Sequence, residues 1–301
     1  MEVPLDDAAA KAGAARDAAA ADPRDAATGV YYDRLSRWTA LLASVGYGGG
    51  RGTLTAHRAL ADPRAGGRPT FTRLHDVVAS LLPSPLQGNV LDAGCGLGGT
   101  MLDLATRGSA TFMGLTLSAQ QAAVAERAIE KAGLSHRIAV RIESYDAPPE
   151  GPFDAAIALE SLAHSAQPAA TLAALAARLA PGGLLAIADD MPEPTARGSR
   201  DLALFQAGWR LPALLSAAEL TAALERCGLA VADQRDLTAE LRPRTLARIA
   251  QLERLNRALR RVAPSAGLRA MLDSYHGGLA LERLYRRNLM SYRVIVARNA
   301  G

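Results

Sequence analysis

The sequence predicts an α/β protein whose parallel β-sheet carries helices on both faces. Between residues 88 and 190, short apolar runs typical of buried strands alternate with helical segments. The first of these runs enters a glycine-rich turn, NVLDAGCGLGGT at residues 89–100, in which an acid and four glycines follow the strand. Because ligands of such sheets bind beyond the carboxyl ends of the strands, the functional site is expected there.

Composition agrees with one large domain with appendages. The chain has 301 residues, of which 49% are hydrophobic and 4% aromatic, so its core is expected to contain many small side chains. The net charge of +4 rests on arginine, since Lys11 and Lys131 are the only lysines. We interpret this as a general preference for arginine rather than as a basic surface for nucleic acid. A small-molecule partner and no nucleic acid are therefore expected.

The sequence also predicts a cytoplasmic protein without an integral membrane segment. No apolar run reaches the roughly 18 residues that a membrane span needs. The acids Glu2, Asp6 and Asp7 stand where a signal peptide would be basic and then apolar. Cys95 and Cys227 suggest neither a disulfide framework nor a metal-binding cysteine cluster. A homodimer is compatible with these patterns.

Two N-terminal segments precede the alternating region. Residues 1–28 are alanine-rich with few large apolar residues, which predicts a tail without a stable fold. Residues 29–87 show helical spacing of apolar residues, which the glycine-rich link GYGGGRG interrupts and which resumes near residues 71–82. Because the glycines allow a hinge, residues 29–87 are predicted to form a helical lid over the ligand. A plain surface loop is the alternative for the link.

The alternating region spans residues 88–190. Its predicted strands are NVLDA, TFMGLTL, IAVRIES, FDAAIALE and LLAIADD, and one of the helices between them runs from Ser118 to Lys131. Alternation of this kind places each strand parallel to the one before it, with the intervening helix on a face of the sheet.

The C-terminal region begins near residue 199. A helix is predicted at residues 202–209, and a second helix opens with the capping box of Ser216 and Glu219. A strand at residues 230–235 is followed by an arginine-rich helical insertion at about residues 240–289 and by the final strand YRVIVAR.

The glycine loop indicates a nucleotide-like ligand but leaves its identity open. Gly94, Gly96 and Gly98 form a Gly-x-Gly-x-Gly pattern, and Gly94, Gly96 and Gly99 also form the Gly-x-Gly-x-x-Gly pattern of dinucleotide sites. Either pattern brings backbone amides and a helix N-terminus close to a ligand. A glycine turn without a ligand is the third alternative.

Five motifs together resemble the core of class I S-adenosylmethionine-dependent methyltransferases: LDAGCGLGG, GLTLSAQQ, IESYDAPP, FDAAIALES and LAPGGLLAIADD. The resemblance covers residues 88–190 and the last two strands. It is nearest to small-molecule C-methyltransferases of the geranyl diphosphate methyltransferase and cyclopropane fatty acid synthase type. It implies a Rossmann-like, seven-stranded methyltransferase sheet in residues 88–301, and S-adenosyl-L-methionine as the cofactor.

The resemblance also implies which residues bind the cofactor. Asp92, at a strand end, would accept hydrogen bonds from the methionine ammonium. Family members usually place an acid after the second strand to bind the ribose; Thr116 stands there in this chain, so Gln121 is expected to share the ribose. The residues that follow the third strand are expected to meet the adenine, in individual roles that stay open. The predicted cofactor residues are Asp92, Gly94, Cys95, Gly96, Gly98, Thr116, Leu117, Gln121, Ser144, Tyr145 and Asp146.

The predicted catalytic residues lie in ALESLAHS, with Glu160 at the mouth of the fourth strand and His164 four residues later. A carboxylate facing the methyl donor would stabilise the positive charge on an alkene carbon that is being methylated and could then remove a proton. Geranyl diphosphate methyltransferase has a Glu-Ser pair at the matching position. The favoured acceptor is therefore a carbon of an isoprenoid such as a prenyl diphosphate, with O- or N-methylation of a natural product as the alternative.

Residues that would contact the acceptor are Tyr32, Arg34, His57 and Trp209. Further cations that could bind a diphosphate are Arg37, Arg58, Arg283, Arg286 and Arg287. A magnesium site built from Glu160, Asp189 and Asp190 is not favoured. A nicotinamide-dependent oxidoreductase and a cofactor-binding protein without catalysis are the alternatives from other classes.

Overall fold

The computed structural model describes residues 29, 30, 33, 54, 55 and 57–301. The predictions for the tail, residues 1–28, and for Tyr32, Arg34 and Arg37 lie outside the described residues. The described strands are β1 (Leu60–Asp62), β2 (Arg68–Thr70), β3 (Asn89–Ala93), β4 (Thr111–Leu115), β5 (Ile138–Arg141), β6 (Phe153–Leu159), β7 (Leu179–Pro192), β8 (Leu229–Asp236) and β9 (Met290–Asn299). The described α-helices are α1 (Thr72–Leu81), α2 (Gly99–Ala105), α3 (Ala119–Lys131), α4 (Pro168–Ala176), α5 (Arg200–Trp209), α6 (Ala217–Arg226), α7 (Leu246–Val262) and α8 (Ala266–Arg286).

Seven strands form the central sheet in the order β5-β4-β3-β6-β7-β9-β8. Neighbouring strands from β5 to β7 are parallel, and β9 is antiparallel to both β7 and β8. This order confirms the predicted Rossmann-like, seven-stranded sheet with a final strand inserted after a long excursion. The carboxyl ends of β3, β4, β6 and β7 meet at one edge, where the functional site was expected.

Helices cover both faces of the sheet, and consecutive strand residues point to opposite faces. Val90, Ile157 and Val294 are fully buried on one face, and Leu91 and Ile295 are fully buried on the other. Strands buried on both faces are near-continuous apolar runs, which is the pattern that the sequence shows for these segments.

Residues 60–70 differ from the helical lid predicted for residues 29–87. β1 and β2 form a small antiparallel pair before α1. Pro63 begins a tight turn in which the Asp62 carboxylate accepts from the backbone N–H of Arg64 at 2.8 Å, and Gly66 has a left-handed φ of 66°. Because proline and a left-handed glycine both interrupt a helix, this pair departs from a helical lid, whereas the helical stretch expected near residues 71–82 is present as α1.

Helices α7 and α8 lie between β8 and β9, within the segment predicted as a helical insertion. Helix α8 packs closely on α5, where a Cβ added to Gly208 would lie 2.8 Å from the Cα of Gly277. Only glycine allows this approach. The contact fixes α5 so that Phe205 and Trp209 line the cavity described below. Among the described residues, the helices fall short of the length and apolarity that a membrane crossing requires.

Candidate functional site

A cavity of about 530 Å³ opens at the carboxyl ends of the sheet strands. It is lined by residues of the glycine loop, of the segments that follow β4, β5 and β6, and of β7. An apolar wall comes from the residue before α1, from α5 and the residues after it, and from the segment before α7. The lining residues predicted from the sequence are Gly94, Gly96, Thr116, Leu117, Gln121, Tyr145, Glu160, His164, His57 and Trp209. The cavity therefore brings together most of the predicted cofactor, catalytic and acceptor residues.

The glycine loop after β3 has left-handed backbone at Gly94, Gly96 and Gly98, with φ of 100°, 54° and 82°. A Cβ at Gly94 would lie 2.5 Å from the Cβ of Ser161, whereas a Cβ at Gly96 would meet nothing within 4 Å. Gly94 is thus required for packing between the ends of β3 and β6. Gly96 instead leaves the backbone open to a ligand in the cavity.

Asp92, near the end of β3, is the acid expected to receive an ammonium group. It is buried, and its Oδ2 has no hydrogen-bond partner among the described residues. Burial raises the pKa of this carboxyl to about 7. A buried, unsatisfied carboxylate oxygen beside the glycine loop fits the ammonium of a methionine moiety, because a cation would stabilise the ionised form.

Thr116 and Gln121 contact each other at the end of β4. The Thr116 hydroxyl donates to Gln121 Oε1 at 2.8 Å and accepts from the backbone N–H of Ser118 at 3.2 Å. This network orients the amide, so the Gln121 Nε2 donors are left for a ligand. Ser118 caps α3 by accepting from the Gln121 backbone N–H at 3.2 Å. The pair fits the ribose hydroxyls, as the resemblance implies.

Asp33 reaches the same loop from the N-terminal segment, a contact that the sequence did not reveal. Its Oδ1 accepts from the Ser118 hydroxyl at 2.6 Å and from the Gln120 backbone N–H at 3.4 Å. Gly29 lies beside it, and a Cβ there would be 2.5 Å from the Leu117 carbonyl oxygen. These residues therefore pack directly on the loop that carries Thr116 and Gln121.

The turn after β5 presents only part of the predicted adenine site to the cavity. Tyr145 lines the cavity, and its hydroxyl donates to the Ser161 carbonyl at 2.7 Å. Ser144 and Asp146 lie outside the lining: the Asp146 backbone N–H donates to Ser144 Oγ at 3.3 Å, and its carboxylate accepts from Thr171. The adenine roles of these residues stay predictions.

Glu160 follows β6 directly and lines the cavity. Its φ of 51° is left-handed, a conformation that costs a residue with a side chain roughly 1–2 kcal/mol and that is concentrated at functional sites. Its backbone N–H donates to the Ala188 carbonyl at 2.7 Å. Its Oε1 accepts from the backbone N–H of Arg58 at 2.9 Å and from the Tyr292 hydroxyl at 2.8 Å. The side chain is therefore held from two distant parts of the chain.

Arg58 lies between two carboxylates and two aromatic rings. Its guanidinium donates to Asp190, and its Nε is 3.7 Å from Glu160 Oε1. The guanidinium carbon is 5.9 Å from the ring centroids of both Tyr285 and Tyr292. Tyr285 also donates its hydroxyl to Asp190. Because its charge is balanced by carboxylates, Arg58 does not fit the predicted role of a diphosphate partner.

Neither Tyr285 nor Tyr292 was predicted as a site residue. Tyr285 is near the end of α8 and Tyr292 is in β9, each more than a hundred positions beyond Glu160. A tyrosine at an inward position of a buried strand was the signal available for Tyr292, since a buried tyrosine hydroxyl usually has a hydrogen-bond partner.

Asp189 and Asp190 do not present a ready metal site. Asp189 accepts from the backbone N–H groups of Ala163 and Asp190 at 3.2 and 2.9 Å. Burial, with added repulsion from Asp190 and Glu160, raises the pKa of Asp189 to about 8, so this carboxyl is protonated at neutral pH. Within the described part of the chain, no group of three His, Cys, Asp or Glu side chains is arranged to hold a metal ion.

His164 ends a short 3-10 helix, Leu162–His164, and lines the same cavity as Glu160. Burial lowers the pKa of its imidazole to about 4. The ring is therefore neutral at physiological pH and has the capacity to accept a proton from a bound acceptor.

His57 lines the cavity as a neutral residue in a buried pair. Its Nε2 is 2.8 Å from the Nε2 of His75, and its Nδ1 is 3.1 Å from the Arg58 carbonyl oxygen. Burial, with added repulsion from His75, lowers the pKa of His57 to about 3. An uncharged imidazole with both nitrogens engaged is a poor partner for a diphosphate, so His57 contributes to the wall of the cavity instead.

The remaining predicted cations point elsewhere, and Trp209 lines the cavity. Arg283 and Arg287 pair with Asp201, and Arg286 donates to the carbonyl oxygens of Pro243 and Arg244. None of these three arginines lines the cavity. The apolar wall consists of Phe71, Phe205, Trp209, Leu211, Leu241 and Pro243.

Comparison with known proteins agrees with this geometry. A family model described as a methyltransferase domain matches residues 67–234, which is more than half of the chain. An O-methyltransferase of Pyrenophora dematioidea is 32% identical over 179 residues, covering 56% of this chain and 63% of the relative. The 27-O-demethylrifamycin SV methyltransferase of Amycolatopsis mediterranei (strain S699) is 31% identical over 176 residues, covering 57% and 65%. The chain thus spans less than two thirds of the length of these relatives.

Solved structures extend the similarity of fold over almost the whole chain. Geranyl diphosphate C-methyltransferase from Streptomyces coelicolor A3(2), solved with Mg²⁺, geranyl diphosphate and S-adenosyl-L-homocysteine, has a TM-score of 0.67 at 21% identity and covers 93% of this chain and 99% of that one. SpnF, described as a [4+2]-cyclase, has a TM-score of 0.67 at 25% identity, covering 90% and 94%.

The family match, the strand order and the glycine loop lead to one assignment. The match at residues 67–234 contains β3 to β7, the loop of Gly94, Gly96 and Gly98, and the candidate catalytic pair Glu160 and His164. The chain therefore belongs to the methyltransferase domain family, and its fold is that of class I S-adenosylmethionine-dependent methyltransferases.

Proposed function

We propose that the protein methylates a hydroxyl oxygen of an uncharged, largely apolar small molecule. The observation that carries this proposal is that one cavity joins the glycine loop to a neutral histidine, His164, and to an apolar wall. S-adenosylmethionine, when bound, supplies an activated methyl group to a nucleophile placed in line with it. The relatives named as O-methyltransferases support an oxygen acceptor.

The cofactor end of the cavity is formed by the loops that follow β3 and β4 and by Gln121 of α3. Asp92 would accept hydrogen bonds from the ammonium, and Thr116 and Gln121 would bind the ribose. Tyr145 lines the cavity and is the one residue of the predicted adenine set Ser144, Tyr145 and Asp146 that does so. Gly96 allows the backbone to contact the cofactor without a side chain between them.

The acceptor end favours an uncharged group over a diphosphate. Phe205, Trp209 and Leu211 would exclude water and bind apolar surface. Two arginines of the described lining, Arg58 and Arg244, are paired with carboxylates. A third, Arg242, donates to backbone carbonyl oxygens of the segment before α7. A diphosphate would need several cations free to bind it.

His164 would take the proton that the hydroxyl loses as the new bond forms. Its imidazole lines the cavity in the neutral form, which accepts a proton, but a pKa of about 4 makes it a weak base, so the imidazolium that forms needs a stabilising charge. Glu160 lines the same cavity, and its negative charge would stabilise the imidazolium that results. Residues of this chain thus supply the proton acceptor and the charge that stabilises it.

C-methylation of an isoprenoid is the second candidate. It is supported by the position of Glu160, which a left-handed backbone and two hydrogen bonds hold at the cavity. A fixed carboxylate there would stabilise positive charge on a methylated carbon. Because a structure described as a cyclase shares the fold, turnover itself has to be demonstrated.

The test uses purified protein, S-adenosylmethionine and a panel of apolar phenols, alcohols, amines, prenyl alcohols and prenyl diphosphates, with either Mg²⁺ or EDTA. Mass spectrometry would detect acceptors heavier by one methylene, together with S-adenosylhomocysteine. A shifted phenol or alcohol is expected. A shift confined to prenyl compounds would establish the second candidate. Binding of S-adenosylmethionine with no product from any acceptor would contradict methyl transfer.

Variants of the two candidate catalytic residues separate their roles. His164→Gln and Glu160→Gln should each leave S-adenosylhomocysteine affinity nearly unchanged and lower turnover by about a hundredfold. Asp154→Asn is the matched control, because this carboxylate accepts from the Asn89 backbone at the amino end of β3, away from the cavity. Unchanged turnover in either variant would remove that residue from the mechanism.

A further inference from the structure

Four side chains from four separate parts of the chain converge on Glu160. Arg58 precedes β1, Asp190 lies in β7, Tyr285 is in α8 and Tyr292 is in β9. The side chains are 25% exposed in Arg58, 19% in Glu160 and 4% in Asp190. In such a partly dry setting, charge pairs are screened less than on the surface.

The two carboxylates are satisfied in the same way. Glu160 accepts from the Tyr292 hydroxyl and from the Arg58 backbone N–H, and Asp190 accepts from the Tyr285 hydroxyl and the Arg58 guanidinium. Each carboxylate therefore receives one tyrosine donor and one donor from Arg58. Residue 58 is fixed at its backbone by one carboxylate and at its side chain by the other.

The position of the guanidinium explains why arginine suits this place. Its planar group lies near the rings of Tyr285 and Tyr292 while its edge meets the carboxylates. Burial opposes the charge, but the Asp190 and Glu160 charges outweigh burial and raise the pKa of Arg58 above its ordinary value. A lysine would keep the charge but lose the flat contact with both rings.

From these contacts, and on the basis of the proposed function, we infer that Arg58 is a positioning residue of the methyl-transfer site. Its backbone N–H and guanidinium hold the Glu160 side chain toward the cavity. The guanidinium also supplies the positive charge that balances the two carboxylates, Glu160 and Asp190. Two consequences follow. Glu160 acts as a fixed charge rather than as the proton acceptor, and methyl transfer needs no divalent cation between these carboxylates.

The test compares Arg58→Met and Arg58→Lys with the control Arg64→Met in the full-length protein. Arg64 is an exposed arginine of the turn between β1 and β2, paired with Asp76. For each variant, calorimetry gives the dissociation constant of S-adenosylhomocysteine, and kinetics gives kcat and KM with the acceptor found in the panel. A thermal melt establishes that each variant is folded.

Arg58→Met is expected to lower kcat by more than about tenfold, with S-adenosylhomocysteine affinity changed less than about threefold. Arg58→Lys should recover part of kcat, and Arg64→Met should match the wild type. Tyr292→Phe, which removes one hydrogen bond to Glu160 and leaves the charge in place, should lower kcat less than Arg58→Met. It serves as the second probe if Arg58→Met does not fold.

The wild type should turn over equally in EDTA and in Mg²⁺. A wild-type kcat in Arg58→Met and Tyr292→Phe would overturn the positioning role. Loss of turnover in EDTA with recovery in Mg²⁺ would overturn the role of Arg58 as the cation of the pair. Failure of the proposed function can be told apart from failure of the Arg58 proposal. If the proposed function is wrong, the wild type itself would form no S-adenosylhomocysteine with any acceptor.

Discussion

The carboxylate of Asp33 accepts a hydrogen bond of 2.6 Å from the hydroxyl of Ser118 and so ties the N-terminal segment to the start of α3. Ser118 in turn accepts from the backbone N–H of Gln121, whose side chain contacts Thr116. The two residues expected to bind the ribose are thus positioned in part by a residue far upstream of the sheet.

Replacement of Asp33 should therefore weaken cofactor binding without a direct contact being lost. Asp33→Ala leaves the buried Ser118 hydroxyl without its acceptor, and we expect S-adenosylhomocysteine affinity to fall by about three- to tenfold. Isothermal titration calorimetry measures this, with Asp154→Asn as the control at the opposite edge of the sheet. Equal affinity in Asp33→Ala and wild type would show that the cofactor site is independent of the N-terminal segment.

Alanine substitutions at two glycines of the loop after β3 should have different effects on stability and on cofactor binding. In Gly94→Ala the new Cβ would lie 2.5 Å from Ser161, so the variant should lose about 2 kcal/mol or more of stability. In Gly96→Ala the Cβ meets no atom within 4 Å, and only the left-handed backbone costs about 1 kcal/mol. Gly96→Ala should fold but lose cofactor affinity, since its methyl group projects from the cavity lining. Melting and calorimetry together separate the two, and a cofactor affinity in Gly96→Ala equal to wild type would contradict the assignment.

Cofactor binding should depend on pH through Asp92. Its pKa of about 7 in the free protein means that the carboxyl takes up a proton as the pH falls below 7, and the neutral form binds an ammonium less well. Affinity for S-adenosylhomocysteine is expected to decrease from pH 7 to pH 5.5 in the wild type. Asp92→Asn should bind at least about tenfold more weakly at pH 7 and show no such decrease.

The stability of the protein without cofactor should depend on pH in the opposite direction, again through Asp92. A carboxyl whose folded pKa is raised from 3.8 to about 7 destabilises the fold as pH rises through that window. Asp92→Asn should therefore be more stable than the wild type at pH 8, by more than about 1 kcal/mol in urea unfolding. A less stable variant at pH 8 would mean that the ionised carboxylate is satisfied within the fold.

Buried His57 should limit the stability of the protein in acid. His57 has a folded pKa of about 3, while its unfolded value is 6.5, so the unfolded state binds the extra proton between these limits. Stability from this group is complete above pH 6.5 and is lost as pH falls toward 3, by up to about 1.4 kcal/mol per pH unit. His57→Gln removes this titration, and urea unfolding from pH 7 to pH 4 should show a shallower decline. Parallel declines would exclude His57 as the cause.

Patterns confined to one turn of the chain predicted local structure well. The capping box of Ser216 and Glu219 is present at the start of α6, and Ser118 caps α3, because each interaction joins residues only three positions apart. The pair β1 and β2 was missed because three-residue strands are too short to show a period of two. The sequence signals for that turn were Pro63 and the glycines that follow it.

Contacts across long sequence separations could not be predicted in the same way. Arg58 meets Glu160 across 102 positions and Asp190 across 132. The sequence motif predicted Glu160 as a site residue, but it did not indicate which cation or hydroxyl would contact its carboxylate. The cofactor half of the site was easier to predict from the sequence, because the glycine loop and the residues after β4 lie close together in the chain as well as in space.

The segment that defines the family, residues 67–234, includes Glu160 and Asp190 but ends before Tyr285 and Tyr292 and begins after Arg58. A chimera that transplants only this segment into a relative would carry two carboxylates without their own counter-charge. The host protein would have to provide a positive charge for these carboxylates. Without it, the chimera would be unstable and inactive. For protein engineering, the exchangeable unit of this protein is therefore the charge cluster with all its contributing strands and helices, not the contiguous domain.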